Sequence, residues 1–123
     1  MSTNKKTLVI GASTKPERFS NKAVKVLRRN KYDVYAFGMR EGEIADIEIQ
    51  TDFPDESDGI HTVAMYIAAH RQEEFYQKII DLKPKRVIFN PGTENHEFKK
   101  LLKKNKIAFT EFCLLIMLNQ GMF

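Results

Sequence analysis

The sequence is poor in the residues that mark specialised classes of protein. It has one cysteine, Cys113, no tryptophan and only four prolines. A single cysteine closes no internal disulfide, which excludes a stapled secreted scaffold and points to a reducing compartment. Long apolar runs are missing too. The run "CLLIML" from Cys113 to Leu118 falls far short of the roughly 20 residues that span a bilayer. The opening "MSTNKK" has no apolar segment of the kind a secretory leader needs. These absences predict a cytoplasmic protein with no membrane partner. Glycine is scarce as well, at six residues. A dinucleotide fingerprint reads G-x-G-x-x-G, and in "VIGASTKPERFS" (Val9–Ser20) only Gly11 is in place.

What is present describes an ordinary globular chain. Its 123 residues suit one domain spanning 1–123, with 42% hydrophobic and 29% charged residues. A chain of this size buries roughly two thirds of its extended surface, enough to fold without metals or cross-links. The net charge of +4 suits an anionic partner and leaves a phosphorylated small molecule, nucleic acid and plain solubility all open.

Strands and helices alternate along the chain. Leu8–Ile10 reads as a strand buried on both faces, and Ser20 as the N-cap of a helix carrying Ala23, Val24 and Leu27. Asp33–Phe37, Thr62–Ile67, Arg86–Asn90 and Ile107–Phe112 read as further strands. Helices fall between them, one through Phe75, Ile79 and Leu82 stopped by Pro84, another through Phe98, Leu101 and Leu102 ending at Asn105. Ile47 and Ile49 hint at a short edge strand, and the tail from Cys113 packs as a last short helix. The alternation predicts an α/β fold with a mostly parallel five-stranded sheet and helices on both faces.

In such a sheet, ligands sit beyond the carboxyl ends of the strands, where strand order reverses. That singles out the loops at Gly11–Ser20, Gly38–Arg40, Ile67–His70 and Asn90–Asn95. In the first, Gly11 permits a sharp turn, Ala12 and Ser13 keep the approach narrow, and Lys15, Arg18 and the hydroxyls of Ser13 and Ser20 would face an anion at a helix N-terminus. The same residues also fit a solvated turn. An NAD site places an acidic residue after the second strand, and this chain has Gly38, Met39 and Arg40 there. A cation at that place disfavours NAD and favours a ribose bearing an extra phosphate, as in NADP or coenzyme A. Arg40 as a plain surface residue stays open beside it.

Catalytic groupings are thin. His61, His70 and His96 do not pair at metal-ligand spacing. Ser13 and His96 could be drawn as nucleophile and base, yet no elbow motif supports them. Cys113 reads as a reactive thiol at a helix start or as a small core residue. The lysines from Lys99 to Lys106 alternate with Leu101 and Leu102 as on the solvated face of an amphipathic helix, without the aromatic platforms of a nucleic-acid binder.

The stretch "VIGASTKPERFSNKAVKVL" resembles the opening of the small bacterial CoA-binding domain family, related to the N-terminal domain of the α subunit of succinyl-CoA synthetase. The family opening runs strand, Gly-Ala-Ser, Pro, Arg and Ser at the spacing of Gly11, Ala12, Ser13, Pro16, Arg18 and Ser20. The likeness continues through Glu43 and Ile44, "DFPD" at Asp52–Asp55, "KRVIFNPGTENHEF" and the cysteine after the fifth strand. The family often has Asn-Pro-Lys where Gly38, Met39 and Arg40 stand, and a Gln-x-Gly type of stretch where Asn90, Pro91 and Gly92 stand. The resemblance implies a three-layer, Rossmann-like doubly wound fold that binds coenzyme A or acyl-CoA as a stand-alone module. The apolar tail, with Leu114, Leu115, Met117, Leu118 and Phe123, would either form a homodimer face or cap the core of a monomer. Gly11, Ala12, Ser13, Lys15, Arg18 and Ser20 would hold the pyrophosphate and Arg40 the 3′-phosphate. Tyr66, Ile67 and Ala68 would line the adenosine or pantetheine channel, with Asn90 and Pro91 on the opposite wall. An NADP-dependent or CoA-linked enzyme using the same crevice is the alternative, as is an interaction protein with a decayed site. Should Cys113 reach the CoA thiol, a mixed disulfide would form under oxidising conditions.

Overall fold

The computed structural model describes residues 5–123. In chain order its elements are β1 (Thr7–Ile10), α1 (Phe19–Arg29), β2 (Val34–Phe37), β3 (Gly42–Ile44), β4 (Ile47–Gln50), β5 (Thr62–Met65), α2 (Tyr76–Asp81), β6 (Arg86–Phe89), α3 (His96–Lys104), β7 (Ala108–Glu111) and α4 (Leu114–Asn119). Single 3₁₀ turns lie at Glu56–Asp58, Ala69–Arg71 and Glu73–Phe75. The reading of the first residues as free of a leader rests in part on Met1–Asn4, which lie outside the described residues.

The strands form one sheet in the order β3-β4-β2-β1-β5-β6-β7. Every pairing is parallel except the β3–β4 hairpin. The sheet therefore has seven strands, not five. The Ile47–Ile49 alternation does mark a strand, but β4 pairs with β2 and β3 takes the edge. No apolar run announces β3, because Ile44 is its one buried residue. The hairpin turns at Ala45, which adopts a left-handed φ of 55°.

The sheet's two faces are covered by different helices. Leu8, Ile10, Val63, Met65, Val87 and Phe89 pack with Ile79 and Leu82 around α2 and with Phe98 and Leu102 of α3. Val9, Ala36, Ala64 and Ile88 pack with Ala23, Val24 and Leu27 of α1 and with Leu114 and Met117 of α4. Successive residues of β1 thus serve opposite faces, which is why Leu8–Ile10 had to be apolar without a break. Burying each such Leu, Ile or Phe contributes about 1.5–3 kcal/mol. The resulting architecture is a Rossmann-like α/β fold.

Helices α1, α2 and α3 are each followed closely by a lysine in the left-handed region, Lys31 at φ 67°, Lys83 at 52° and Lys106 at 59°. Glycine is the usual occupant there, whereas a lysine sets its charge near the negative end of the helix dipole. Phe123 folds back against the start of the sheet. Its ring meets Tyr32 edge-on at 4.9 Å and lies 4.4 Å beneath the Arg86 guanidinium. Lys5 Nζ and Arg86 both donate to its main-chain oxygen.

Beside this contact, His61 Nδ1 and Thr62 Oγ1 share a 2.8 Å hydrogen bond, and Thr62 also accepts from Arg86 Nε. Burial first, then the nearby charges of Arg86, Lys5 and Lys85, hold the His61 pKa below its ordinary value. The unfolded chain therefore takes up this proton before the folded one does. The contribution is fully present above the ordinary histidine value of about 6.5 and is lost as pH falls through the lower folded value. Urea midpoints should drop as pH is lowered through this window, and His61→Asn should flatten that part of the profile.

Candidate functional site

Strand β1 pairs with β2 on one side and β5 on the other, so strand order reverses at its carboxyl end. There the backbones diverge and leave a crevice. An open cleft of about 890 Å³ occupies this place, lined by residues 10–15, Arg18, residues 37–40, Tyr66, Ile67 and residues 70–75 except Gln72.

Its first wall is the loop between β1 and α1. Gly11 adopts φ +100°, and a side chain there would press on the Ile67 methyl at 2.9 Å and the Tyr66 carbonyl oxygen at 3.1 Å. The N–H groups of Gly11 and Ala12 both donate to the Phe37 carbonyl, at 3.0 and 2.9 Å, which ties the loop to the end of β2. Two further glycines let it lie close. A Cβ on Gly38 would come within 2.5 Å of the Ala12 carbonyl oxygen, and one on Gly42 would collide with the Thr14 methyl.

Helix α1 starts at Phe19, with Arg18 as its N-cap. Ser20 is not the N-cap: it is buried, sits inside the first turn, and is not among the residues lining the cleft. The chain enters the helix early because Pro16 sits in a turn closed by Arg18 N–H donating to the Lys15 carbonyl at 3.0 Å. The helix N-terminus is bare. No side chain caps it and no acidic residue lies in its first turn. Among the described residues, the N–H groups of Phe19, Ser20 and Asn21 find no acceptor. Such an end attracts an anion.

The charges agree. Lys15, Arg18, Arg40 and Arg71 line the cleft and are exposed, and among the described residues none of them is in an ion pair. Glu73 and Glu74, close behind Arg71 in the chain, line the cleft as well. The cation expected after β2 is therefore in the cleft, beside Met39, which is 74% exposed.

Gly11, Ala12, Ser13, Lys15, Arg18, Arg40, Tyr66 and Ile67 are brought together as the sequence suggests. Ala68, Asn90 and Pro91 are not among the lining residues. After Ile67 the chain enters a 3₁₀ turn with Ala68 as its cap, which presents His70 and Arg71 instead. Asn90 is consumed by structure. Its Nδ2 donates to the Met65 carbonyl at 3.0 Å, and its Oδ1 accepts from Leu114 N–H at 2.8 Å. Pro91 is exposed outside the cleft. Behind this wall, Gln72 donates to the Ile67 and Thr93 carbonyls and accepts from Asn95 Nδ2, with no side-chain exposure at all. The cleft residues missed by sequence reasoning are Thr14, Arg71, Glu73, Glu74 and the wall residues Ile10, Phe37 and Phe75. A cation close behind a strand at the reversal point was the available signal for Arg71.

Ser13 and His96 do not meet. Ser13 Oγ accepts from Lys15 N–H at 3.1 Å within the cleft loop, whereas His96 is exposed at the start of α3. Cys113 is half-buried as the N-cap of α4 and outside the lining. It lies near enough to Tyr66 that, after burial itself, its charge is the further cause pushing the Tyr66 hydroxyl far above the ordinary phenol value.

The sequence model of the CoA binding domain matches residues 5–119. The chain belongs to this family. A crystal structure of a protein described only as uncharacterized is 37% identical, with a TM-score of 0.92, and the match covers 99% of this chain and all of the other. A hypothetical protein from Pyrococcus horikoshii OT3 is similar at 27% identity and TM-score 0.83, covering 94% of this chain and 82% of that one. A Thermus thermophilus structure at 21% identity, TM-score 0.82, covering 97% and 90%, shares the fold. A comparison with curated proteins finds no match. No helix among the described residues is long and apolar enough to cross a membrane.

The glycine contacts make a graded test of this CoA-binding fold's loop. Gly38→Ala meets backbone, which cannot swing aside, and should cost about 1–3 kcal/mol in urea unfolding. Gly42→Ala meets a methyl, so its cost should be smaller and should shrink further when combined with Thr14→Ser.

Proposed function

We propose that the cleft holds coenzyme A or acyl-CoA and that the chain acts as a binding module in its own right. The observation that carries this reading is the bare N-terminus of α1. It opens beside a glycine-backed loop and four cations that have no ion pair among the described residues, in a chain of the CoA binding domain family. The donor set suits a polyphosphate: backbone N–H groups for the oxygens, and side-chain charge to neutralise them.

In this reading Gly11, Ala12 and Ser13 bring the backbone against the pyrophosphate, and Lys15 and Arg18 balance its charge. Arg40 takes the 3′-phosphate of the adenosine. Tyr66 and Ile67 supply apolar wall for the adenosine or the pantetheine arm. Bound coenzyme A would supply a thiol able to carry acyl groups as thioesters. Ser20 offers only its main-chain N–H at the helix start, and Ala68, Asn90 and Pro91 take no part.

One observation favours a second reading. A cation after β2 suits the ribose phosphate of NADP as well as that of coenzyme A, so a small NADP-dependent enzyme would use the same residues. Titration calorimetry with CoA, dephospho-CoA, NADP and NAD separates the two. CoA should bind, with dephospho-CoA weaker by about tenfold, the worth of one charge-assisted contact. Arg40→Ala should erase that difference, and Arg18→Ala should weaken both ligands without lowering Tm. Tighter binding of NADP than of CoA would favour the second reading. No response to any CoA species would sink the first.

A further inference from the structure

Asn21, the third residue of α1, has an unusual balance of bonds. It is 2% exposed, and its Nδ2 donates to the Ser13 carbonyl at 2.8 Å. Its Oδ1 is buried and, among the described residues, has no hydrogen-bond partner. A buried acceptor without a donor is a net cost. Leucine has nearly the same shape and would fill this place on the buried face of α1 without that cost. Packing therefore does not explain the amide, and its single bond to the loop does.

That bond acts on one peptide plane. The Ser13 carbonyl and the Thr14 N–H belong to the same planar trans unit and point in opposite directions. Drawing the carbonyl toward Asn21 turns the Thr14 N–H the other way, and Thr14 is one of the residues that line the cleft. The Ser13 side chain is already occupied by Lys15 N–H. Among the described residues the N–H groups of Ser13 and Thr14 find no acceptor.

We propose that Asn21 is a positioning residue: by holding the Ser13 carbonyl it fixes the Ser13–Thr14 peptide so that the Thr14 N–H is presented to a phosphate of the ligand. Asn21 itself touches no ligand. The inference rests on the phosphate-binding reading of the cleft and adds the side chain that sets its donor in place. It also explains why an amide with an unpartnered oxygen stands in the first turn of α1, on the buried face of that helix.

The test separates stability from binding. Asn21→Leu should keep or raise Tm and yet weaken CoA and inorganic pyrophosphate alike by about tenfold, the loss of one well-placed donor. In ligand-free protein, the Ser13–Lys15 amide resonances should be sharp in the parent and broadened or displaced in Asn21→Leu. Asn21→Ala provides a second variant should leucine not fit, with the same amide changes expected. Unchanged affinity together with parent-like amide resonances would overturn the positioning role. So would Tm and affinity falling in parallel in both variants, which would mark Asn21 as a packing residue. Should the parent bind neither CoA nor pyrophosphate, the phosphate reading fails on its own, and the ligand-free amide spectra still decide whether Asn21 sets the loop.

Discussion

The close approach of the Ala12 carbonyl to Gly38 is the contact on which the site depends. The loop after β1 leans on the end of β2, held there by two N–H groups sharing the Phe37 carbonyl. Its back is thereby fixed and its front faces the gap that opens between β1 and β5. A side chain at Gly38 would push the loop into that gap, because the opposing atom is backbone oxygen. The cleft exists because one surface of a short loop is fully used by packing and the other is left with nothing to bond.

The two sides of the cleft are built on different principles. Behind Ile67, carboxamides satisfy one another and the backbone, with Gln72, Asn90 and Asn95 joining the ends of β5 and β6 to the starts of α3 and α4. Buried networks of this kind hold a single geometry when complete. On the loop side the polar groups are left open: α1 has no cap and the cleft cations have no carboxylate partners among the described residues. Elsewhere basic residues do pair, as Arg28 does with Asp46 and Lys99 with Glu111. Positive potential is therefore concentrated where it is not cancelled locally.

Much of this was legible in the sequence, for physical reasons. Buried parallel strands need apolar residues on both faces, so β1, β2, β5 and β6 stand out as short apolar runs, and helices α1 and α3 show their buried stripe. The hairpin of β3 and β4 was half hidden because an edge strand with one buried residue makes no pattern. The 3₁₀ turns from Ala69 to Phe75 have too short a period to read, and they carry Arg71, Glu73 and Glu74 to the cleft. The structural bonds of Asn90 could not be read in advance, because an asparagine after a strand looks the same whether it waits for a ligand or bridges two backbones. The glycines thought missing from the nucleotide loop are present, but at Gly38 and Gly42, outside the loop and against its back. A fingerprint confined to consecutive residues has no means of registering them.

The left-handed lysines after three helices show how the scarce glycines are distributed. Gly11, Gly38 and Gly42 serve the cleft, whereas Lys31, Lys83 and Lys106 occupy backbone conformations that glycine would adopt more cheaply, by about 1 kcal/mol each. The strain thus lies at helix ends joining the amino ends of the strands, on the far side of the sheet from the site. Substitution at these lysines changes stability at the end of the sheet away from the cleft, so the fold can gain or lose robustness over a lineage's history while the shape of the cleft stays as it was.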